Sequence, residues 1–424
     1  MTSRKDMWLG ILLSGMSLGT AWAIRGNFGH EQGAAWAGGI GALALVLLSR
    51  STAWNAKFIK ITFASAAGWG VGGIMSYGMV VGYGKSVDFG NTFYGLAMLL
   101  LIGGLYGFTG GGLFALALAD NDRAKVKWPV LIVEMIAGAL LFYYFIILSF
   151  EWLMTPPRSE AWAACLGMAA ALLWFQVRNR QYAALRVAVF SALGAGFGFA
   201  FGNFLQVMGI ALSVQELNLW NVMEYSIGFF GGCGMAYGVY TSRWDDKTPN
   251  PGKQTIVVPL LTVALIIPLI VWDQSFTIKR LTETTPEAEL DTLKIIQWSA
   301  AGIIILYALY AFKTYYLDYR NRADGYSFNK LFGFFVALFV LYLLFHLLIS
   351  GAFFHGLKPE QWLYLLSLAG ILIFIPRVQP VFLPRGQHTV KWLALLAGII
   401  FVLALLALIA TNLHGPLTGA KERF

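Results

Sequence analysis

The nine residues Arg25-Gly26-Asn27-Phe28-Gly29-His30-Glu31-Gln32-Gly33 stand between two apolar runs, residues 7–24 and 34–48. About 20 apolar residues carry a helix across a bilayer, so each run reads as a span and the nine residues as the bend between them. The bend holds a cation, an imidazole and a carboxylate beside hydrocarbon-like sequence. An ionisable group at such a place is costly to keep and marks a functional site by default. Gly26, Gly29 and Gly33 let the backbone turn and let neighbours come close. A plain reading competes with this one: a short polar loop, with Arg25 reaching to the head groups.

The whole chain extends the reading. Of 424 residues, 58% are hydrophobic and 12% charged, against about 25% charged in soluble domains. The fold class expected is all-α, a polytopic helical membrane protein. The formal charge of +9 belongs to the loops on the cytoplasmic side and does not indicate nucleic acid. Cys165 and Cys233 both lie inside apolar runs. They form neither a disulfide framework nor a metal motif, and no cofactor is expected.

Thirteen spans are predicted, at 7–24, 33–49, 61–82, 93–118, 128–150, 160–177, 186–209, 219–240, 255–273, 295–317, 330–350, 360–376 and 391–411. The first follows Arg4-Lys5 and ends near Ala21-Trp22-Ala23, which resembles a signal peptide with its cleavage site. Arg25 follows directly, so the run is kept as a helix of the protein. With the N-terminus cytoplasmic, 21 of the 30 Lys and Arg fall on the inner side. The positive-inside rule therefore sets the orientation in a plasma (inner) membrane, and places the 25–33 bend at the outer end of the first two spans.

Composition divides the chain. Residues 1–254 hold 37 of the 47 glycines, enough to let helices pack closely throughout. They are expected to form a functional unit of eight helices, and residues 255–424 a supporting unit of five. Within the first unit, Ser65, Gly68, Gly70 and Gly72 match Ser191, Gly194, Gly196 and Gly198. Tyr94, Gly103, Tyr106 and Gly107 match Tyr225, Gly234, Tyr237 and Gly238. These offsets suggest two four-helix repeats, 1–119 and 120–254. Gly15 and Gly19 echo Gly68 and Gly72 more faintly.

Arg25 offers a planar fork for a carboxylate or phosphate. His30 and Glu31 are placed to exchange protons. On the predicted topology Asn27, Trp36, Tyr94, Asn203, Gln206 and Glu224 lie in the same outer half, and with Arg25, His30 and Glu31 they form the expected solute site. Trp22, Trp36 and Trp69 flank it with aromatic faces. Glu134, two turns into the fifth span from the inner side, is a further candidate for proton coupling. His346 and His355 give a weak sign of acyl transfer.

Nucleotide, zinc-protease and serine-hydrolase signatures are missing from the sequence, so no catalytic residue is assigned. The function expected is a secondary transporter for a small polar solute, anionic or sugar-like and proton-coupled. Its partners are that solute and membrane lipid, with no nucleic acid. A membrane-embedded enzyme of the acyl- or glycosyltransferase type acting on a lipid-linked substrate is the alternative. A scaffold subunit of an envelope complex is the third reading.

Overall fold

A computed structural model describes residues 4–121, 124–156, 158–244, 256–318, 326–386 and 389–424. Among these residues all regular secondary structure is helical, and no strand forms. The glycine-rich part comprises α1 (Arg4–Arg25), α2 (His30–Ser49), α3 (Thr52–Asn55), α4 (Phe58–Gly73), α5 (Gly78–Tyr83), α6 (Phe89–Ala119), α7 (Trp128–Phe142), α8 (Ser159–Arg178), α9 (Tyr182–Ala211) and α10 (Leu219–Tyr240). Then come α11 (Val257–Leu261), α12 (Ile267–Ser275), α13 (Ile278–Thr284), α14 (Leu290–Phe312), α15 (Phe328–Ile349), α16 (Ala352–His355), α17 (Pro359–Phe374) and α18 (Thr389–Leu413). Three π-helical stretches extend α7, join α11 to α12 and extend α14.

Ten of these helical segments are long and apolar enough to cross a membrane, which makes this an integral membrane protein. They correspond to ten of the thirteen predicted spans. The other three differ for identifiable reasons. Residues 61–82 do not form one helix: α4 stops at the glycine pair Gly72-Gly73, and the chain runs unwound over 74–77 before α5. α10 has the length, but Asn221, Glu224 and five glycines lower its hydropathy. α17 has only 16 residues. The expected boundary at residue 254 lies outside the described residues.

Six helices close into a ring in the order α1, α2, α4, α6, α9, α10, with α10 returning to α1. Trp69 fills the middle. Glycines on three other helices make room for it: Cβ atoms at Gly38, Gly110 and Gly231 would stand 2.6, 2.5 and 3.0 Å from its side chain. Trp22 meets Trp69 at 4.9 Å between ring centroids and Tyr106 at 5.6 Å. The later helices pack beside α1, α2 and α4, while α7 and α8 pair outside the ring against α6 and α18 lies across α6 and α9.

This arrangement does not reproduce the two expected four-helix repeats. α1 and α2 are ring members, and α7 and α8, their counterparts in the second unit, are not. The matched glycines do share a task, which is close helix contact inside the ring. That task alone produces similar spacing.

At the ring's other end, the carbonyls that close α6 are held by a buried lysine. Lys57 Nζ donates to the Leu118 and Asp120 carbonyls at 2.8 and 2.5 Å. Burial pushes its amine down to about 8, with the Asp120 carboxylate opposing. Lys57→Met keeps the stem and removes the donor. It is expected to cost about 1–3 kcal/mol, the penalty for buried acceptors left without a donor, and to lower the unfolding temperature in detergent. Unchanged stability would mean that these carbonyls find other donors.

Candidate functional site

The 25–33 bend folds tightly because its glycines leave space. The Asn27 and Phe28 amides bond back to the Ile24 and Arg25 carbonyls. Gly29 adopts φ +86°, a region that favours glycine. A Cβ on Gly33 would stand 2.8 Å from Arg25 Cγ. Without one, the Arg25 side chain folds back into the ring instead of reaching for the head groups.

There it is buried, 1% exposed, against Glu224, 3% exposed. Arg25 Nη2 lies 2.8 and 2.7 Å from the two Glu224 oxygens and 3.0 Å from the Tyr77 hydroxyl. The Tyr77 hydroxyl donates to Glu224 Oε1 at 2.5 Å. Arg25 Nη1 reaches the His30 carbonyl at 3.4 Å. Below, the guanidinium sits 4.9 Å from the Trp22 ring centroid. The three charged or phenolic groups come from three places in the chain: the end of α1, the unwound 74–77 segment, and the second turn of α10.

Charge pairing here offsets a large desolvation cost, since taking two ions out of water costs several kcal/mol each before their attraction is counted. The pair does not satisfy every donor. Arg25 Nε, Trp22 Nε1 and Trp69 Nε1 are buried without a hydrogen-bond partner among the described residues. All three belong to side chains in the same stack. The stack around Arg25 thus holds three N–H groups without an acceptor among the described residues.

No family model, curated protein or solved structure matches this chain. The site therefore has to be read from its own chemistry.

The expected site residues separate into groups. Arg25 and Glu224 meet directly, although 199 positions apart. His30 is exposed at the rim, its ring edge-on to Tyr77 at 5.5 Å. Glu31 pairs with Arg158 at 3.3 Å, both nearly half exposed, and not with Arg25. Asn27 Nδ2 lies 3.1 Å from His346 Nδ1. Trp36 belongs to an aromatic group with Phe28, Tyr342 and Phe345, and its Nε1 donates to the Leu338 carbonyl at 3.2 Å. Asn203 and Gln206 are buried together on α9, 3.3 Å apart, beside the backbone of Gly84.

Two expected residues lie elsewhere. Tyr94 stacks edge-on with Tyr83 and Phe424 and carries Arg423 over its ring. Glu134 pairs with Arg178 at 2.6 Å on the outlying α7–α8 hairpin. Tyr77 is expected from the sequence only as one of the polar groups of the outer half, at the end of the third span, and Arg158 is not among the expected site residues. The Gly72-Gly73 pair just before Tyr77 signalled a break in the helix. Nothing in the sequence around Arg158 tied it to Glu31.

A crevice of about 640 Å³ opens on the outside of the ring between α1, α10 and α17. Thr20 and Ser367 bond to each other on its wall at 2.7 Å. Tyr364, also on the wall, is buried and stands edge-on to His346 at 5.5 Å. Among the described residues, no group of three His, Cys, Asp or Glu is placed to hold a metal ion.

Proposed function

We propose that this protein is a secondary transporter for a small polar solute, anionic or sugar-like, in the plasma (inner) membrane. The reading includes thirteen crossings, with α4–α5, α10 and α17 as the three beyond the ten apolar ones, and a cytoplasmic N-terminus. The glycine-rich residues 1–254 form the transporting unit and 255–424 the support. The basic loops supply the orientation, by the positive-inside rule.

The observation that carries the reading is the stack around Arg25, with its three N–H groups left without an acceptor among the described residues. A solute with several acceptor oxygens matches the unpartnered N–H groups of Arg25, Trp22 and Trp69. To reach the Arg25 fork it must take the place of the Glu224 carboxylate, so solute and Glu224 compete for one cation. Protonating Glu224 removes that competition and couples proton uptake to solute binding. His30 and Glu31 line the entrance and make entry depend on pH. Asn203 and Gln206 lie further round the same end. Tyr77 stands on an unwound stretch, of the kind that lines sites in transporters built from discontinuous helices.

The test is uptake into liposomes, with a panel of small carboxylates, phosphates and sugars, with and without a pH gradient. Accumulation of at least one solute driven by an acidic outside is the expected result. Arg25→Lys is expected to lower uptake about tenfold or more, since a point charge replaces a planar fork and one charge-assisted hydrogen bond is worth at least that factor. Wild-type uptake by Arg25→Lys would refute specific recognition by Arg25.

A second reading, an enzyme acting on a lipid-linked substrate, is favoured by the apolar crevice beside α1 and α10. The same vesicles distinguish it, because an enzyme would alter a lipid-linked substrate without accumulating a solute.

A further inference from the structure

The crevice between α1, α10 and α17 has its one carboxylate and both its asparagines at one end, while Thr20 and Ser367, further along its wall, bond to each other. Asn218 and Asn221 lie at the start of α10, and Glu360 is the second residue of α17. Beyond them the lining turns apolar, through Val222, Phe229, Phe230 and Met16. From Asn218 to Phe230 the helix rises about 18 Å at 1.5 Å per residue, and one leaflet of hydrocarbon is about 15 Å deep. The crevice is therefore long enough to match the depth of one leaflet. Leu363 and Leu366 on its lip are more than half exposed, so it opens sideways, toward lipid. Among the described residues, Glu360 is the one charged side chain on its wall, and neither lysine nor arginine lines it.

We infer that the crevice holds one membrane phospholipid with an ammonium head group, of the phosphatidylethanolamine kind. One acyl chain lies along the apolar wall, and the ammonium faces Glu360 beside Asn218 and Asn221. The ammonium matches an unopposed carboxylate, whereas an anionic head group without an ammonium would meet that carboxylate with no cation beside it. The inference goes beyond the transport reading and does not depend on it. The lipid leaves the crevice chemically unchanged, which also separates it from a lipid-modifying enzyme.

The test is native mass spectrometry of the full chain in detergent, with equimolar phosphatidylethanolamine and phosphatidylglycerol of the same acyl chains. One phosphatidylethanolamine is expected per chain, at least about fivefold preferred and recovered intact. Glu360→Gln should abolish the preference while still retaining lipid. Val222→Trp, whose ring narrows the crevice next to its polar end, should lower retention several-fold, with the unfolding temperature in detergent showing that both variants fold. Equal retention of the two lipids by wild type, preference for phosphatidylglycerol, an unchanged preference in Glu360→Gln, or full retention by a folded Val222→Trp would each overturn the proposal. So would a dimer cross-linked through Val222→Cys, because a second copy of the chain would then occupy the crevice.

Discussion

Glu224→Leu alone is expected to destabilise the protein by about 3–5 kcal/mol, the cost of leaving a buried charge without its partner. The double variant Arg25→Met, Glu224→Leu is expected to recover most of that loss. Both charges are then gone, and hydrocarbon of similar length occupies a site already floored by Trp22, which Tyr106 backs. Replacing a buried ion pair by apolar residues is often neutral or better for stability. The Tyr77 hydroxyl loses its acceptor in both variants, so a residual deficit of about 1 kcal/mol is expected to remain. Thermal unfolding in one detergent, for wild type, both single variants and the double, completes the cycle. Transport separates the roles: a double variant that folds as well as wild type and accumulates no solute assigns the pair to function. If the double variant transports normally, the pair serves only to hold α1 to α10.

The ring was only partly legible in the sequence, and its residues explain why. The spans announced themselves through apolar length, which follows from the bilayer and needs no knowledge of neighbours. Arg25 stood out because a charge beside two long apolar runs is costly. Its partner did not. Glu31 is six residues away and Glu224 is 199 away, yet the backbone turn that buries Arg25 sends Glu31 outward to Arg158. Pairing across a ring is set by which helices close it, and a single sequence does not state that order. The break at 74–77 was hidden for a related reason. Residues 61–82 are apolar enough for one span, and only the glycines before Tyr77 hint at two. The repeat is not confirmed, and close packing demands small residues at regular spacing wherever helices touch. Such spacing at 68–72 and 194–198 follows from contact alone, whether or not the positions correspond.

The same substitution at two glycines is expected to act with opposite sign, which tests whether close helix contact is what these residues provide. Gly228 on α10 faces α1. A Cβ there would stand 2.5 Å from the Leu18 carbonyl oxygen, 2.5 Å from Trp22 Cβ and 2.9 Å from Gly19 Cα. Two of those three atoms are backbone and cannot rotate away, so α1 and α10 must separate. Gly302 on α14 has nothing within 4 Å of the equivalent point. Alanine is the better helix former by about 1 kcal/mol at either place. Gly302→Ala should therefore raise stability by up to about 1 kcal/mol. At Gly228 the gain is outweighed by overpacking, which typically costs about 1–3 kcal/mol and more where backbone is met. The net for Gly228→Ala is a loss of about 2 kcal/mol, and Gly228→Leu should not yield folded protein. The loss reaches the site as well, because Trp22 lies between Gly228 and the Arg25 guanidinium. Pushing α1 outward by a few tenths of an ångström lengthens the contacts to Glu224, now 2.7 and 2.8 Å. Unfolding temperatures for the two alanine variants, with uptake for Gly228→Ala, are the measurements. A Gly228→Ala protein as stable as Gly302→Ala would show that the ring has slack at α1–α10, and that Arg25 and Glu224 do not depend on that contact to meet.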